Sequence, residues 1–240
     1  MKYSDFTFND SNSFKRYLQS KRLEMAVKRV SLTQQDEKSI KILDFGCANA
    51  ELYKFLKQSI NNFSYTGYDP QEQYIDEAKQ NLGLQENCQL TFCVADIIDE
   101  KYDLIFCLEV FEHLPNEILI KEINTLHSLL NDNGNLFIGV PNEIFLISLI
   151  RGIFRMTRSY GDYDSNFKNI FLSTIGLPPK DRPISLKIPI PYFRFHMGFD
   201  YRKLKKQLSG KFNIVSIFGS PFSILPLFLN TEVYMICKKN

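Results

Sequence analysis

The sequence lacks any apolar run long enough to cross a bilayer, because no stretch of its 240 residues approaches the ~20 apolar residues that such a helix needs. It also lacks a strong net charge. Its 29 Lys and Arg and 27 Asp and Glu leave +2 at pH 7, which does not indicate an obligatory polyanionic partner. Residues 1–5 are polar and contain no apolar core of a secretion signal. We therefore expect a cytoplasmic protein.

Cysteine occurs at five positions, but without the spacing of a metal site or a disulfide framework. Three of the five lie in apolar, strand-like runs. Free thiols in such runs are typical of proteins from a reducing compartment. We expect buried thiols and no bridges at positions 47, 88, 93, 107 and 237.

Length and composition indicate one globular unit. A chain of 240 residues suits one large α/β domain with an insertion. Its hydrophobic content of 44% and charged content of 23% are ordinary for a globular protein. No internal repeat or low-complexity tract interrupts it. We predict a single domain over residues 1–240.

Apolar runs of strand length alternate with segments of helical periodicity. The predicted strands are 40–44, 64–68, 89–94, 103–108 and 135–140, and the predicted helices are 13–31, 51–59, 71–81 and 116–130. This alternation favours a doubly wound parallel sheet with helices on both faces. Two further strands, at 212–218 and 233–237, are joined by a loop too short for a crossover helix. We therefore expect these two to pair antiparallel.

Residues 141–200 do not continue the alternation of strands and helices. Five of the ten prolines lie between 178 and 191, so we expect no regular structure there. Residues 143–158 have the pattern of an amphipathic helix. Its polar stripe consists of Ser148, Arg151, Arg155 and Arg158. A segment inserted after the fifth strand emerges above the carboxyl edge of the sheet, where ligands bind, so we interpret it as a substrate lid.

Two acids mark the ends of the first two strands. Asp44 ends the first strand and is followed by a turn with one glycine, Gly46, while Asp69 ends the second. A Gly-containing turn that opens a helix presents backbone N–H groups to a ligand. An acid at the tip of the next strand can accept from both hydroxyls of a ribose. A nucleoside is therefore the natural ligand, although the Gly-x-Gly-x-x-Gly of dinucleotide-binding turns is absent.

The pairing of Asp44 with Gly46 resembles motif I of the class I S-adenosylmethionine-dependent methyltransferases, usually Asp-x-Gly-Cys-Gly-x-Gly. Here Ala48 and Ala50 replace its second and third glycines. Alanine tolerates positive φ poorly, so we expect ordinary backbone dihedrals at both positions. The run 102–115 resembles motif IV of the same enzymes. The resemblance implies S-adenosylmethionine as cofactor and a Rossmann-like, seven-stranded, mostly parallel sheet with an antiparallel last strand.

The resemblance also implies the cofactor contacts. Asp44 would orient the amino group of the cofactor, and Asp69 would hold its ribose hydroxyls. Asp96 would accept from the adenine amine, with Ile97 against the ring. Arg22 would reach the carboxylate of the cofactor. The full implied set is Asp44, Gly46, Cys47, Asp69, Asp96, Ile97, Leu108 and Glu109.

Methyl transfer requires alignment of the nucleophile with the methyl group and, for an oxygen or nitrogen acceptor, removal of a proton. Glu109-Val-Phe-Glu112-His113 follows the fourth strand, and His196 follows the Pro-rich stretch. An imidazole of ordinary pKa ~6.5 suits proton removal from a hydroxyl near neutral pH. We therefore predict His113 and His196 as the catalytic residues. The structural alternatives are a helix cap for His113 and an anchor of the inserted segment for His196.

The same residues offer an alternative, a metal site. Glu109, Glu112, His113 and His196 supply oxygen and nitrogen ligands of the kind that bind Mg²⁺ or another divalent ion. This pattern resembles the ubiquinone-biosynthesis O-methyltransferases and the small-RNA 3′-terminal ribose methyltransferases. That resemblance implies an acceptor oxygen made more acidic by the metal. We predict that no metal binds and keep the metal site as the alternative.

The sequence thus predicts a methyltransferase that acts on an oxygen of a small molecule. Residues 139–230 resemble bacterial methyltransferases associated with surface-polysaccharide or lipid-linked precursor pathways, which indicates a sugar or lipid-linked acceptor. The helix at 143–158 is expected to pack on the domain, although it also suits an amphiphilic acceptor or a membrane surface.

Two other functions stay open. Metal-assisted methylation of an RNA ribose 2′-hydroxyl has some support from Arg202, Lys203, Lys205 and Lys206, which offer phosphate contacts, and from a pI near 8.2. Such a run of basic residues, however, usually forms a solvated face. Nucleic acid is therefore not the favoured partner. The two alanines of the first turn also permit a degenerate module that binds S-adenosylmethionine without turnover.

Overall fold

A computed structural model of the chain describes residues 13–31, 39–159, 161–186 and 190–240. The strands in these ranges are β1 (Ile40–Phe45), β2 (Phe63–Tyr68), β3 (Cys88–Thr91), β4 (Tyr102–Leu108), β5 (Leu130–Pro141), β6 (Ile184–Ser185), β7 (Tyr192–Phe193), β8 (Phe212–Ser220) and β9 (Glu232–Lys239). The α-helices are α1 (Ser13–Ser31), α2 (Glu51–Ser59), α3 (Glu72–Leu82), α4 (Asn116–Leu129), α5 (Phe145–Ser159), α6 (Phe167–Thr174) and α7 (Tyr201–Leu208).

Seven of these strands form one sheet in the order β3-β2-β1-β4-β5-β9-β8. β1 pairs in parallel with both β2 and β4, and β2 pairs in parallel with β3. The sheet is mostly parallel with an antiparallel last strand. The predicted Rossmann-like, doubly wound α/β fold is therefore confirmed. The single domain over 1–240 and the lid at 141–200 stay predictions.

The predicted element bounds agree with the structure to within a few residues, with two exceptions. β3 ends at Thr91 instead of residue 94, because Val94–Asp96 form a 3₁₀ turn. β5 begins at Leu130, immediately after α4, instead of at residue 135.

One compact unit contains the described residues of 1–108 together with 125–137 and 239. β1 is its central strand, and its residues 42–45 are all buried in succession. A strand covered on both faces loses the in–out alternation of a half-exposed strand. The strand end that carries Asp44 is therefore buried as well.

The other compact unit contains residues 109–124, the described residues of 138–238, and residue 240. Its helices α5 and α6 pack closely, since a Cβ atom added at Gly152 would lie 2.6 Å from a side-chain carbon of Ile170. β6 and β7 form a short antiparallel ladder of two residue pairs, with Ile184 opposite Phe193. Neither α6 nor this ladder was predicted. The prolines between 178 and 191 argued against regular structure around the ladder, and α6 is only eight residues long.

The helix predicted at 143–158 is present as α5, but its orientation differs from the expectation. Its polar stripe faces the protein: Ser148 is fully buried, and Arg151 and Arg155 are bonded to the buried Glu143. Several apolar residues of the opposite face are exposed, with Phe154 at 66%. The expectation that the apolar face packs on the domain is therefore met only in part. None of the described helices combines the length and apolar character needed to cross a membrane.

The cysteines also depart from the sequence prediction. All five are free thiols, and Cys47, Cys107 and Cys237 are buried as expected. Cys88 is only half-buried, and Cys93 is exposed. The prediction of five buried thiols is therefore wrong for these two. Cys88 is the first residue of β3, which lies at the edge of the sheet, and Cys93 lies beyond the end of β3 at Thr91.

Candidate active site

The turn after β1 runs through three residues with positive φ. These are Gly46 at 83°, Ala48 at 45° and Ala50 at 56°. The prediction of ordinary dihedrals at the two alanines is therefore wrong. The left-handed conformation costs roughly 1–2 kcal/mol at each alanine, and the turn holds it in part because the Ala48 N–H must reach the Asp69 carboxylate, 3.1 Å away.

Asp69 is a buried carboxylate with room for further donors. Its Oδ2 accepts from the N–H of Ala48, and its Oδ1 accepts from the N–H of Gln71 at 2.9 Å. Burial raises the pKa of Asp69 to about 6, and these two backbone donors oppose the rise. A carboxylate offers about four acceptor positions, so one remains on each oxygen. The group fits a pair of ribose hydroxyls.

Asp44 lies under the same turn and is almost fully buried. Its Oδ2 accepts from the hydroxyl of Tyr65 at 2.7 Å. Burial raises the pKa of Asp44 to about 7, the Tyr65 hydroxyl opposes the rise, and the charge of Asp69 adds to it. The buried Cys47 thiol also has a raised pKa, first because of burial. Asp44 and Asp69 lie at the ends of the paired strands β1 and β2. A cationic ligand group would stabilise their charged forms.

The segment after β3 presents an acid among exposed apolar side chains. The Asp96 Oδ2 atom accepts from the Thr91 hydroxyl at 2.5 Å. Ile97 is fully buried, whereas Phe92 and Val94 are 46% and 41% exposed. A fully buried side chain has no surface left for a ligand, so the apolar surface available here comes from Phe92 and Val94.

Glu109 follows directly after Leu108, the last residue of β4, and also has a positive φ, 56°. Its N–H donates to the carbonyl of Gly139 at 2.8 Å. A non-glycine residue in this conformation persists only where its surroundings impose it. The backbone of Glu109 is thus held in one position at the end of the strand.

The two predicted catalytic histidines lie against each other. Their Nε2 atoms are 3.3 Å apart, and their rings meet edge to face. The His113 Nδ1 atom lies 2.8 Å from the carbonyl oxygen of Phe193, so it carries the proton and donates. In the neutral form of His113, Nε2 then offers a lone pair toward His196.

A third residue of the alternative metal site lies beside the two histidines. Glu112, which is fully buried, has its Oε1 atom 3.7 Å from the Nε2 atom of His113. One ligand atom each from Glu112, His113 and His196 lies within 4.8 Å of the others. Glu109 is not a member of this group, which is the only one of its kind among the described residues. Of the four residues of the metal alternative, the structure thus brings three together.

The surroundings of His196 set its protonation state. Burial holds the pKa of His196 well below its usual value, and the positive charges of His113, Arg151 and Arg155 lower it further, against Glu143. The Glu143 Oε1 atom lies 4.0 Å from the His196 Nδ1 atom. His196 is therefore a neutral imidazole at neutral pH.

Sequence reasoning missed Glu143. It is fully buried, and its carboxylate accepts from Arg151 at 2.5 Å and from Arg155 at 2.8 and 2.9 Å. Burial alone would raise the pKa of Glu143, but the two arginines outweigh it and lower the pKa to about 2. The spacing of the arginines on α5 was visible in the sequence, but their buried partner was not.

Arg182 is the second residue that sequence reasoning missed. Its guanidinium donates to the carbonyls of Glu112 at 2.8 Å, Phe195 at 2.5 Å and Met197 at 3.2 Å. It therefore ties the residue before His113 to the residues on either side of His196. No sequence motif indicates this role of Arg182, because its partners are backbone oxygens of residues that are distant in sequence.

One of the comparisons with known proteins shows the family of this chain. A family model described as a methyltransferase domain matches residues 14–171, more than half of the chain. A search of curated protein sequences gave no match. Solved structures with the same fold are similar to this chain over nearly its whole length.

The N-methyltransferase NodS from Bradyrhizobium japonicum WM9, in complex with S-adenosyl-L-homocysteine, is 15% identical, with coverage of 96% of this chain and 89% of that one and a TM-score of 0.56. The PH0226 protein from Pyrococcus horikoshii OT3 is 14% identical, with coverage of 99% and 96% and a TM-score of 0.65. Magnesium protoporphyrin IX methyltransferase from Synechocystis PCC 6803, with the same product bound, is 16% identical, with coverage of 96% and 89% and a TM-score of 0.60.

Identities this low show a shared fold, while the family model shows the family. The predicted cofactor is confirmed at the level of that family. The roles of single residues stay predictions. The chain belongs to the methyltransferase-domain family and is a class I S-adenosylmethionine-dependent methyltransferase.

Proposed function

We propose that this enzyme transfers the methyl group to a hydroxyl oxygen of a small molecule, with His113 and His196 at the acceptor. The observation that carries the proposal is the 3.3 Å approach of the two Nε2 atoms. A hydroxyl is a weak nucleophile until its proton is removed, and an oriented imidazole lone pair is suited to accept that proton.

His113 is the proton acceptor in this proposal. The Phe193 carbonyl fixes the proton of His113 on Nδ1, which leaves Nε2 as the accepting atom. His196 stays neutral because of its burial, so it can donate its Nε2 proton to an acceptor oxygen. The pair thus offers one accepting and one donating nitrogen to the same hydroxyl group.

The residues proposed to bind the cofactor all belong to the first compact unit, except for Glu109, which directly follows Leu108. Asp69 takes the ribose hydroxyls, and Asp44 takes the amino group beside Gly46 and Cys47. Asp96 accepts from the adenine amine, and the exposed side chains of Phe92 and Val94 contact the ring in place of the buried Ile97. Leu108 and Glu109 flank the methionine end.

The acceptor class is a sugar or a lipid-linked precursor. A hydroxyl-rich acceptor of this kind matches an acid–base site built from two imidazoles. The support beyond that is the sequence resemblance of residues 139–230 and the exposed apolar side chains of α5.

A second candidate has support from the grouping of Glu112, His113 and His196. Metal-ligating histidines are usually oriented through their other nitrogen by a carbonyl or a carboxylate. The Phe193 carbonyl does this for His113, and Glu143 lies on the Nδ1 side of His196. The three residues therefore fit a divalent ion, which when bound would make an acceptor hydroxyl more acidic. An RNA ribose hydroxyl is an acceptor under this candidate.

The test is a search for methylated products. The protein and isotope-labelled S-adenosylmethionine are incubated with fractionated small-molecule extracts, with isolated lipid-linked sugars and with short RNA, and products are found by mass spectrometry. We expect the label on a small-molecule oxygen, and loss of the product in His113→Asn with unchanged affinity for S-adenosylhomocysteine. Label on RNA alone, or on nitrogen, would contradict the proposal. Cofactor binding without any labelled product would identify a non-catalytic module.

A further inference from the structure

The helix α5 is held with its polar side inward. Arg151 and Arg155 both donate to the fully buried Glu143, and Arg151 also donates to the carbonyl of Thr231 at 3.1 Å. Rotation of α5 to bury its apolar side would break these bonds and leave a buried carboxylate alone. The apolar side of the helix is therefore fixed outward.

The neighbouring helix α6 extends the same exposed surface. Ile170 packs on Gly152 of α5, while Phe167 and Phe171 of α6 are 71% and 54% exposed. A cavity of about 450 Å³ opens where the two helices meet, and it is lined by Leu149, Ile153, Met156, Thr157, Phe167 and Ile170. We call the exposed apolar side chains the outer face: Leu146, Leu149, Ile150, Ile153, Phe154, Phe167 and Phe171.

The charges of the two helices all have one sign. Residues 145–159 and 167–174 contain no Asp or Glu. Arg158 is exposed one turn after Phe154, and Lys168 is exposed one turn before Phe171. Exposed apolar side chains bordered by long cationic side chains match the boundary between acyl chains and anionic headgroups.

We infer that the outer face docks on a membrane surface that contains anionic lipids, with its aromatic side chains at the acyl boundary and with Arg158 and Lys168 at the phosphates. A second copy of the chain is a poorer occupant, because a two-fold interface would place these cations on both sides. A single acyl tail is too small an occupant, since Ile150, Phe154 and Phe171 lie outside the cavity lining. The inference goes beyond the proposed function and needs no acceptor to be known.

The test is co-sedimentation of the full chain with vesicles of phosphatidylcholine alone and with vesicles that also contain phosphatidylglycerol. We expect binding to the anionic vesicles that weakens with salt. The double variant Phe154→Ser/Phe171→Ser should bind at least about tenfold more weakly, because two aromatic side chains no longer leave water. Leu84→Ser is the matched control, since Leu84 is fully exposed in the other compact unit and should sediment like the parent.

A second variant keeps the test independent of the aromatic changes. Arg158→Glu/Lys168→Glu should lose the preference for anionic vesicles while it keeps the affinity for S-adenosylhomocysteine, which shows that it is folded. The inference is overturned if the parent protein stays in the supernatant with anionic vesicles, or if both double variants sediment like the parent. It is also overturned if the face instead mediates a dimer that Phe154→Ser/Phe171→Ser abolishes, or binds a monomeric fatty acid without binding vesicles.

Discussion

The Nε2 atoms of His113 and His196 face each other at 3.3 Å, although 83 positions separate the two residues. The proton of His113 resides on Nδ1, where the Phe193 carbonyl accepts it. With His113 in its neutral form, two arrangements make the contact between the two Nε2 atoms favourable. Either His196 donates its Nε2 proton to His113, or both lone pairs point at a bound cation.

These two cases make opposite predictions for metal. In the proton-transfer mechanism, turnover in EDTA equals turnover in buffer, and Mn²⁺ titrated by calorimetry binds no more tightly to the parent than to His196→Ala. We expect this result. His127→Ala serves as the control for general histidine binding, because His127 is not a member of the Glu112–His113–His196 group. Stoichiometric Mn²⁺ binding that His196→Ala removes, with activity lost in EDTA, would select the metal instead.

Asp69→Ala tests the ribose contact. Two hydrogen bonds to a charged acceptor are lost, so cofactor affinity should fall by ~1.5–3 kcal/mol. Calorimetry with S-adenosylhomocysteine measures this, and thermal unfolding reports any loosening of the turn that Asp69 also holds. Asp76→Ala, an exposed aspartate of α3, is the control with unchanged affinity. Equal affinity in parent and Asp69→Ala would remove Asp69 from the site.

Cofactor affinity should depend on pH through Asp44. Its pKa lies at about 7 in the protein without ligand, so much of it is protonated in mildly acidic buffer. Only the charged form pairs with the amino group of the cofactor, and affinity should therefore rise as pH increases through about 7. Asp44→Asn should bind more weakly and show a flatter profile. An unchanged slope in Asp44→Asn would assign the pH dependence to another group.

The same carboxylates shape the stability of the protein without ligand. Their pKa values in the folded state, about 7 for Asp44 and about 6 for Asp69, are above the ordinary value of 3.8. The folded chain thus holds protons that the unfolded chain releases, so their contribution to stability is present below pH 3.8 and is lost as pH rises through these folded-state values. The cofactor should offset this loss, which chemical denaturation across pH with and without S-adenosylhomocysteine measures.

The parts of the molecule that follow local patterns were predictable. Strand–helix alternation gave the sheet, and the order of Asp44, Gly46 and Asp69 indicated the family, because these signals lie within short stretches. The dihedrals of Ala48 and Ala50 were not predictable from propensity, since the N–H of Ala48 donates to the distant Asp69 and that of Ala50 donates to the carbonyl of Cys47. The end of β3 was misjudged because Val94 continues an apolar run but lies in a 3₁₀ turn.

The second compact unit shows why the remaining site escaped sequence analysis. The helix at 143–158 was expected to pack on the domain, but the side of α5 that is buried carries Arg151 and Arg155, which both pair with Glu143. Periodicity identifies an amphipathic helix without telling which side is buried, and a single buried carboxylate decides that. The role of Arg182 could not be predicted from the sequence for a related reason. Its three partners are backbone carbonyl oxygens, which every residue possesses.

Arg182→Lys tests the cross-connection between the two histidine segments. A lysine keeps the charge but cannot span three carbonyls with a planar fork, so the free energy of unfolding should fall by about 2 kcal/mol. Activity should fall further than stability explains, because the residues around His113 and His196 lose a shared anchor. Arg194→Lys is the control, since Arg194 is exposed. If the Arg182→Lys protein had the stability and turnover of the parent, Arg182 would not be the shared anchor of the two histidine segments.

Glu143→Gln tests the carboxylate on which α5 depends. The change leaves Arg151 and Arg155 without their main counter-charge, and breaking a buried pair in this way costs roughly 3–5 kcal/mol. Chemical denaturation of Glu143→Gln should show this loss, while Glu117→Gln, an exposed glutamate of α4, should match the parent.

Two comparisons separate charge from packing in that result. Glu143→Gln/Arg155→Met removes one of the two uncompensated cations, so it should be more stable than Glu143→Gln alone. The pKa of Glu143 is lowered from 4.5 to about 2, so its contribution is complete above pH 4.5 and is lost as pH falls toward 2. The difference in stability between the parent and Glu143→Gln should therefore shrink on acidification. A difference that is constant across this pH range, together with no recovery in the double variant, would show that Glu143 acts through its shape and not through its charge.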